Sequence, residues 1–284
     1  MILVTILQAA LVGWLVSAPT SASTPDPLAR IEEAQQALFE RLAPAVVFIN
    51  TAEGFGSGFI VSHDGLVLTN AHVVGKQKTV DVVMHDGRRL SATVSHKAKG
   101  VDLALVQLPL SKTTPIPLGD SDRLRVGAWV GAIGHGHGGI WTFNTGMVSN
   151  IYPVASDRPV FQTQIPLNPG ASGGPIFDRT GAVMGVVTAG ILDAEAINFG
   201  IKIDVALTVL KPLAARCDCL TVIGPAGAPL FVDGEMRGQG PRVVIPITRG
   251  THEVLAVVNG ERRLERIEFP KQREVKLVAE GAQE

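Results

Sequence analysis

From Val46 to Ile203 the chain is a succession of short apolar runs broken by turn residues, with scarcely a stretch of helical periodicity. The runs are Val46–Asn50, Gly56–Val61, Leu66–Thr69, Val80–Met84, Arg89–His96, Leu103–Leu108, Trp129–Ile133, Gly146–Ile151, Val160–Thr163, Ala182–Thr188 and Phe199–Ile203. Asp64-Gly65 and Asp86-Gly87 fall between neighbouring runs, and Asp-Gly between apolar alternations favours a hairpin, because glycine enters φ > 0 without a Cβ clash. So many consecutive strands predict an all-β unit, a barrel or a sandwich. The 31 glycines and 18 prolines fit that reading better than a helical bundle.

Helices are expected only at the margins. Asp26 can cap and Pro27 can open a helix over 26–42, with Leu28, Ile31, Leu38 and Leu42 mostly on one face to pack against the strands. Asp204 is expected to cap a short helix Val205–Leu210 that ends the unit before Pro212. Residues 1–22 read as a secretory signal, an apolar run followed by small residues with Thr20 and Ala22 two apart. No Lys or Arg precedes that run, so an uncleaved membrane anchor stands as the alternative. Either way the expected location is outside the cytoplasm, periplasmic or extracellular.

Charge narrows the partners. With 25 Lys and Arg against 26 Asp and Glu and no polybasic block, nucleic acid is excluded as the main partner. Cys217 and Cys219 are the two cysteines; a local disulfide and a pair of inert thiols both fit them, and two ligands do not make a zinc site.

The chemistry concentrates in Asn168-Pro169-Gly170-Ala171-Ser172-Gly173-Gly174-Pro175. A serine between glycines sits where the backbone bends sharply, so its hydroxyl can project while main-chain N–H groups converge beside it. Upstream, His72 follows the apolar run Leu66–Thr69, and Asp102 borders Leu103-Ala104-Leu105-Val106, where an unpaired carboxylate would be costly. The chain order His72, Asp102, Ser172 is that of one known nucleophile–base–carboxylate arrangement. Gly170-Ala171-Ser172-Gly173-Gly174 also satisfies G-x-S-x-G, but in α/β-hydrolases the base follows the nucleophile. Only His252 lies beyond Ser172, and Gly173-Gly174-Pro175 is a poor helix start.

Together with Gly56-Ser57-Gly58-Phe59-Ile60-Val61, Leu68-Thr69-Asn70-Ala71-His72-Val73-Val74, Asp102-Leu103-Ala104-Leu105 and Gly127-Ala128-Trp129-Val130-Gly131-Ala132-Ile133-Gly134, these pieces resemble chymotrypsin-fold serine proteases of the HtrA/Deg type, from about Ala43 to Leu210. The resemblance implies two β-barrels with a cleft between them, His72 and Asp102 on the first and Ser172 on the second. It implies Ser172 as nucleophile, His72 as general base and acid, Asp102 as the group orienting the imidazole, and the N–H groups of Gly170 and Ser172 as the oxyanion hole. No metal or organic cofactor is implied.

Three departures bear on function. Ala171 stands where trypsin-like enzymes have Asp and HtrA-type relatives usually Asn, which argues against activation by an inserted amino terminus and leaves the oxyanion loop short of a polar anchor. Pro166 and Leu167, with Thr188 and Ile191 on another wall, predict an apolar substrate pocket that takes small or medium aliphatic side chains rather than Arg or Lys. The stretch Gly134–Gly139, carrying His135 and His137, is expected to be an ordinary flexible loop, because no third metal ligand accompanies the two histidines.

About seventy residues follow Leu210, too few for the PDZ domains usual in HtrA relatives. Runs at Leu220–Ile223, Pro229–Val232, Arg242–Pro246, His252–Val258, Arg263–Phe269 and Val275–Val278 predict a second strand-rich unit. Pro225-Ala226-Gly227-Ala228, Val232-Asp233-Gly234, Gly240-Pro241 and Gly250–Val254 resemble the PEGA family of small extracytoplasmic β-sandwiches, with Ala226 in the place of the name-giving Glu. That resemblance implies attachment to envelope or substrate; a stabilising appendage serves equally well.

The expected organisation is a signal (1–22), a helix (23–42), a trypsin-like protease domain (43–212), a linker (213–219) and a PEGA-like β-sandwich (220–284). The expected function is exported cleavage of unfolded polypeptides by a serine endopeptidase, with an envelope component and a homo-oligomer as further partners left open. The competing reading is a catalytically weak or inactive envelope binding protein on a protease scaffold.

Overall fold

Asp26 does cap the first helix, its carboxylate accepting from Leu28 N at 3.0 Å, and Pro27 occupies its first turn, where a missing N–H costs nothing. The computed structural model describes residues 26–136, 139–151, 160–188, 198–258 and 260–277. The expected signal falls outside them, and among the described residues no helix is long and apolar enough to cross a membrane. In α1 (Pro27–Leu42) only Leu38 and Leu42 are buried, whereas Leu28 and Ile31 are 73% and 56% exposed. The apolar face expected along the whole helix is used only in its last turns, which alone reach the strands.

Twelve strands follow. They are β1 (Val46–Thr51), β2 (Gly54–Ile60), β3 (Leu66–Thr69), β4 (Thr79–Val83), β5 (Arg89–Lys97), β6 (Ala104–Gln107), β7 (Trp129–Gly136), β8 (Gly139–Asn150), β9 (Val160–Thr163), β10 (Pro175–Phe177), β11 (Val183–Thr188) and β12 (Asn198–Lys202). They form two closed barrels, in the orders β1-β2-β3-β6-β5-β4 and β10-β11-β12-β9-β8-β7, which leaves neither sheet an unpaired edge. The protein is all-β in class, with the two-barrel architecture implied by the resemblance. Phe59, Leu66, Leu68, Leu103 and Leu105 are fully buried in the first barrel, in a core that continues onto Ile133, Phe177 and Val186 of the second.

Four differences from the sequence expectations stand out. The short strand β10 escaped notice, because its three residues lie directly after a Gly-Gly-Pro turn. His135 is not on a flexible loop: it continues β7 and is 1% exposed. Asp204 does not cap a helix but lies within the first turn of α3 (Ile203–Val209), its carboxylate accepting from Ser121 N at 2.7 Å and from the Ser121 hydroxyl. Pro212 then sits in the first turn of α4 (Lys211–Arg216), a place proline tolerates, so it opens a second helix instead of ending the unit.

The stretch after α4 is short and tied down: Cys217 and Cys219 form a disulfide. Beyond it lie β13 (Cys219–Ile223), β14 (Pro229–Val232), β15 (Glu235–Gln239), β16 (Arg242–Pro246), β17 (Gly250–Val258), β18 (Glu261–Phe269) and β19 (Glu274–Lys276). Sheets β16-β13-β19 and β15-β14-β17-β18 share one core of Leu220, Val222, Leu230, Val254, Ile267 and Val275, and so make a small sandwich. Ion pairs fasten it to the barrels: Arg237 reaches Asp120 at 3.2 Å and Arg123 reaches Glu235 at 2.9 Å.

Candidate active site

His72 rides on the single turn α2 (Ala71–Val74), which begins where β3 ends. Its main-chain N–H donates to Asp102 Oδ1 at 2.9 Å and its Nδ1 to Oδ2 at 2.6 Å, so one carboxylate grips both backbone and ring. Asn70, fully buried, donates Nδ2 to the Asp102 carbonyl at 2.8 Å and locks the two segments together. Burial pushes the Asp102 carboxyl up, but the hydrogen bonds from the His72 ring and N–H outweigh it and hold the pKa below the usual value. An ionised carboxylate only accepts, so the proton between the two belongs to Nδ1, which leaves Nε2 of the neutral ring as an acceptor. Nε2 has no hydrogen bond among the described residues.

Ser172 lies in two turns set back to back. Ala171 N donates to Asn168 O at 3.0 Å, closing a turn over Pro169 and Gly170, and Gly174 N donates to Ala171 O at 2.9 Å, closing one over Ser172 and Gly173. Gly170 and Gly173 have φ of 101° and 85°, the third-position geometry of a type II turn. Among the described residues the N–H groups of Gly170 and Ser172 have no acceptor, as an oxyanion hole requires of its donors.

The two halves of the site meet at glycines. A Cβ on Gly173 would lie 2.1 Å from Ser57 O and 3.2 Å from Asn70 N, and one on Gly56 would lie 2.6 Å from Val73 Cγ2 and 3.2 Å from Ser172 O. The neighbours of His72 and Ser172 therefore press on one another. No hydrogen bond joins the Ser172 hydroxyl to the imidazole among the described residues; such contacts are commonly long in the unliganded state and tighten with substrate.

The expected pocket residues separate. Leu167 lines a cavity of about 140 Å³ beneath the turn with Ala132, Thr142, Asn144, Ala171 and Val187, and no ionisable side chain is among its described lining residues. Pro166 is exposed, and Ile191 lies outside the described residues. Thr188 directs its hydroxyl to Asp102 Oδ2 at 3.4 Å, so this side chain attends the carboxylate rather than lining that cavity.

Two side chains to which the sequence assigns no part in the site stand at its centre. Ser57 donates its N–H to Ser172 O at 2.8 Å and its hydroxyl to Gly170 O at 2.8 Å, while its carbonyl accepts from Thr69 Oγ1 at 2.6 Å. His135 packs edge-on against Phe48 and Trp141, with ring centroids at 5.2 and 4.9 Å, and lies 3.0 Å from the Ser57 hydroxyl. The available signal was Gly56-Ser57-Gly58, one polar side chain in an otherwise apolar strand. Elsewhere, ligand oxygens of Asp120, Asp122 and Asp204 lie within 4.8 Å of one another. Arg237, Lys202 and Ser121 already engage these carboxylates.

Residues 56–186 match the model of the trypsin-like peptidase domain. Over 189 residues, 63% of the chain, the sequence is 37% identical to the putative serine protease HhoA of Synechocystis, of which the match covers 48%. Over 164 residues, 56% of the chain, it is 37% identical to a probable periplasmic serine endoprotease, DegP-like, of Halomonas elongata, of which it covers 35%. The chain thus spans about half the length of these curated relatives or less. Among solved structures, the serine endoprotease from Yersinia pestis superposes with a TM-score of 0.56 at 25% identity, over 82% of this chain and 96% of that one.

Proposed function

We propose that this chain is an exported serine endopeptidase of the HtrA/Deg type that cleaves polypeptides through His72, Asp102 and Ser172. The observation that carries the reading is the two-point grip of Asp102 on His72, at 2.9 and 2.6 Å, on the strand end against which the Ser172 turn packs. Holding ring and backbone by a single carboxylate fixes a tautomer and a direction for the His72 ring. The periplasmic relative supports export, and the apolar residues 1–22 supply the route.

In this reading Ser172 Oγ adds to the scissile carbonyl as its proton passes to His72 Nε2. Asp102 stabilises the imidazolium that forms, and the N–H groups of Gly170 and Ser172 receive the oxyanion. The imidazolium then protonates the leaving amine, and water repeats the sequence to release the acyl group from Ser172. The uncharged lining beneath the turn favours aliphatic over basic side chains at the cleaved residue. The C-terminal sandwich, read as PEGA-like, serves as the attachment unit, and unfolded polypeptides are the substrate class.

Fluorophosphonate labelling tests the reading directly. The wild-type chain is expected to be labelled at Ser172 and to cleave casein, and Ser172→Ala to lose labelling and roughly 10⁶-fold in rate. A folded wild-type chain that stays unlabelled while a related protease is labelled would overturn it.

A further inference from the structure

Glycine 170 is the weak point of the site. With φ at 101° and no side chain, nothing in the residue itself prevents its peptides from rotating, yet its N–H must face the oxyanion in every turnover. Ala171, next along, offers no polar group. The side chain that holds the Gly170 carbonyl from outside is the Ser57 hydroxyl, fully buried and within hydrogen-bond distance of Gly170 O (2.8 Å), His135 N (3.0 Å) and His135 Nδ1 (3.0 Å).

Counting protons orders these three contacts. A serine hydroxyl has one proton and two lone pairs. The Gly170 carbonyl can only accept, so the proton goes there, and the His135 main-chain N–H fills one lone pair. The second lone pair then faces Nδ1, which must donate. Nδ1 therefore carries a hydrogen, and in the neutral ring Nε2 is left as a buried acceptor with no partner among the described residues. Burial pulls the pKa of this ring down to about 4, so the neutral form persists at physiological pH. Phe48 and Trp141 fix the plane of the ring. With His135 donating, the hydroxyl has one rotamer left, the one aimed at Gly170.

We propose that Ser57 and His135 are positioning residues for the oxyanion hole: the His135 ring orients the Ser57 hydroxyl, which pins the Gly170–Ala171 peptide through its carbonyl and so anchors the turn whose preceding peptide presents the Gly170 N–H to the developing oxyanion. This rests on the serine endopeptidase reading and deepens it. Neither residue touches substrate, so their loss is predicted to act on kcat and to spare KM. An isostere that keeps a donor at the Nδ1 position is predicted to suffice, because only that hydrogen is used.

The test uses the full chain, with Ser57→Ala, His135→Leu and His135→Asn assayed on a fluorogenic peptide cut by the wild type and by fluorophosphonate labelling rate. Ser57→Ala and His135→Leu are expected to lower kcat by about 10- to 100-fold, below the loss for deleting an oxyanion donor outright, with KM changed less than threefold and labelling slowed in parallel. His135→Asn is expected to stay within threefold of wild type, since its amide places a donor where Nδ1 stood. Near-UV circular dichroism establishes that each variant is folded; should Ser57→Ala fail to fold, the His135 pair decides. Unchanged kcat in folded Ser57→Ala or His135→Leu, a change confined to KM, or equal losses in His135→Leu and His135→Asn would each overturn the inference. A wild type that neither labels nor cleaves would overturn the endopeptidase reading instead, so the two failures are distinguishable.

Discussion

Gly173 sits so close to Ser57 that a Cβ built on it would lie 2.1 Å from the Ser57 carbonyl oxygen, inside any permitted contact. The residue after the candidate nucleophile is thus fixed by the first barrel, across the cleft, and not only by its own turn.

Gly173→Ala is expected to destabilise the protein by at least ~2 kcal/mol and to abolish fluorophosphonate labelling. The left-handed conformation alone costs about 1–2 kcal/mol for a residue with a Cβ, and here the obstacle is backbone that cannot move aside. Gly87→Ala is the comparison, with the same φ of 85° and nothing within 4 Å of the added carbon. It should lose only the conformational part, as measured by urea denaturation. Equal losses for the two would contradict the contact.

Asp102→Asn should keep the fold and lower kcat by roughly 10⁴-fold, because an amide can donate to Nδ1 and then presents the wrong tautomer to Ser172. Steady-state hydrolysis together with thermal melting separates this from unfolding. A loss below tenfold would show that the carboxylate does not set the base.

His135 makes stability pH-dependent. Its pKa in the fold, about 4, lies below the ordinary 6.5, so between those values the unfolded chain binds a proton that the native one does not. Stability should therefore fall as pH drops from about 6.5 to about 4, by up to about 3 kcal/mol, and level off below. Denaturant titrations of wild type and His135→Asn at stepped pH should diverge over that window. Other groups, such as Asp204 with its raised pKa, contribute alike to both chains and cancel. Parallel curves would show that the ring is not buried neutral.

At the junction with the C-terminal sandwich, Arg237 and Asp120 are each 14% exposed in their side chains, whereas Arg123 and Glu235 are 60% and 53% exposed. Arg237→Ala is expected to cost ~2–3 kcal/mol, since it leaves Asp120 unpaired where water is scarce. Arg123→Ala should stay within about 0.5 kcal/mol. Urea unfolding of both variants measures the difference, and equal effects would mean that the junction is wet.

The sequence was a reliable guide wherever local chemistry is sufficient. Asp26-Pro27 specifies a helix start by itself, alternating apolar runs specify strands, and a serine among glycines specifies a turn with free N–H groups. It misled where length or burial was decided elsewhere. Leu28 and Ile31 read as core but project beyond the strands, and His135 and Pro212 read as loop and stop but continue a strand and open a helix.

The types and order of the proposed reacting side chains, His72, Asp102 and Ser172, were written in the chain itself, because imidazole, carboxylate and hydroxyl carry their chemistry into any fold. Which residue would hold the turn around Ser172 was not. Ser57 and Gly170 lie 113 positions apart, and only the packing of one barrel on the other sets a hydroxyl from a strand of the first against a carbonyl on a loop of the second. Hydrogen bonds are short-ranged and directional, so their partners are chosen by packing, and packing is a property of the whole fold.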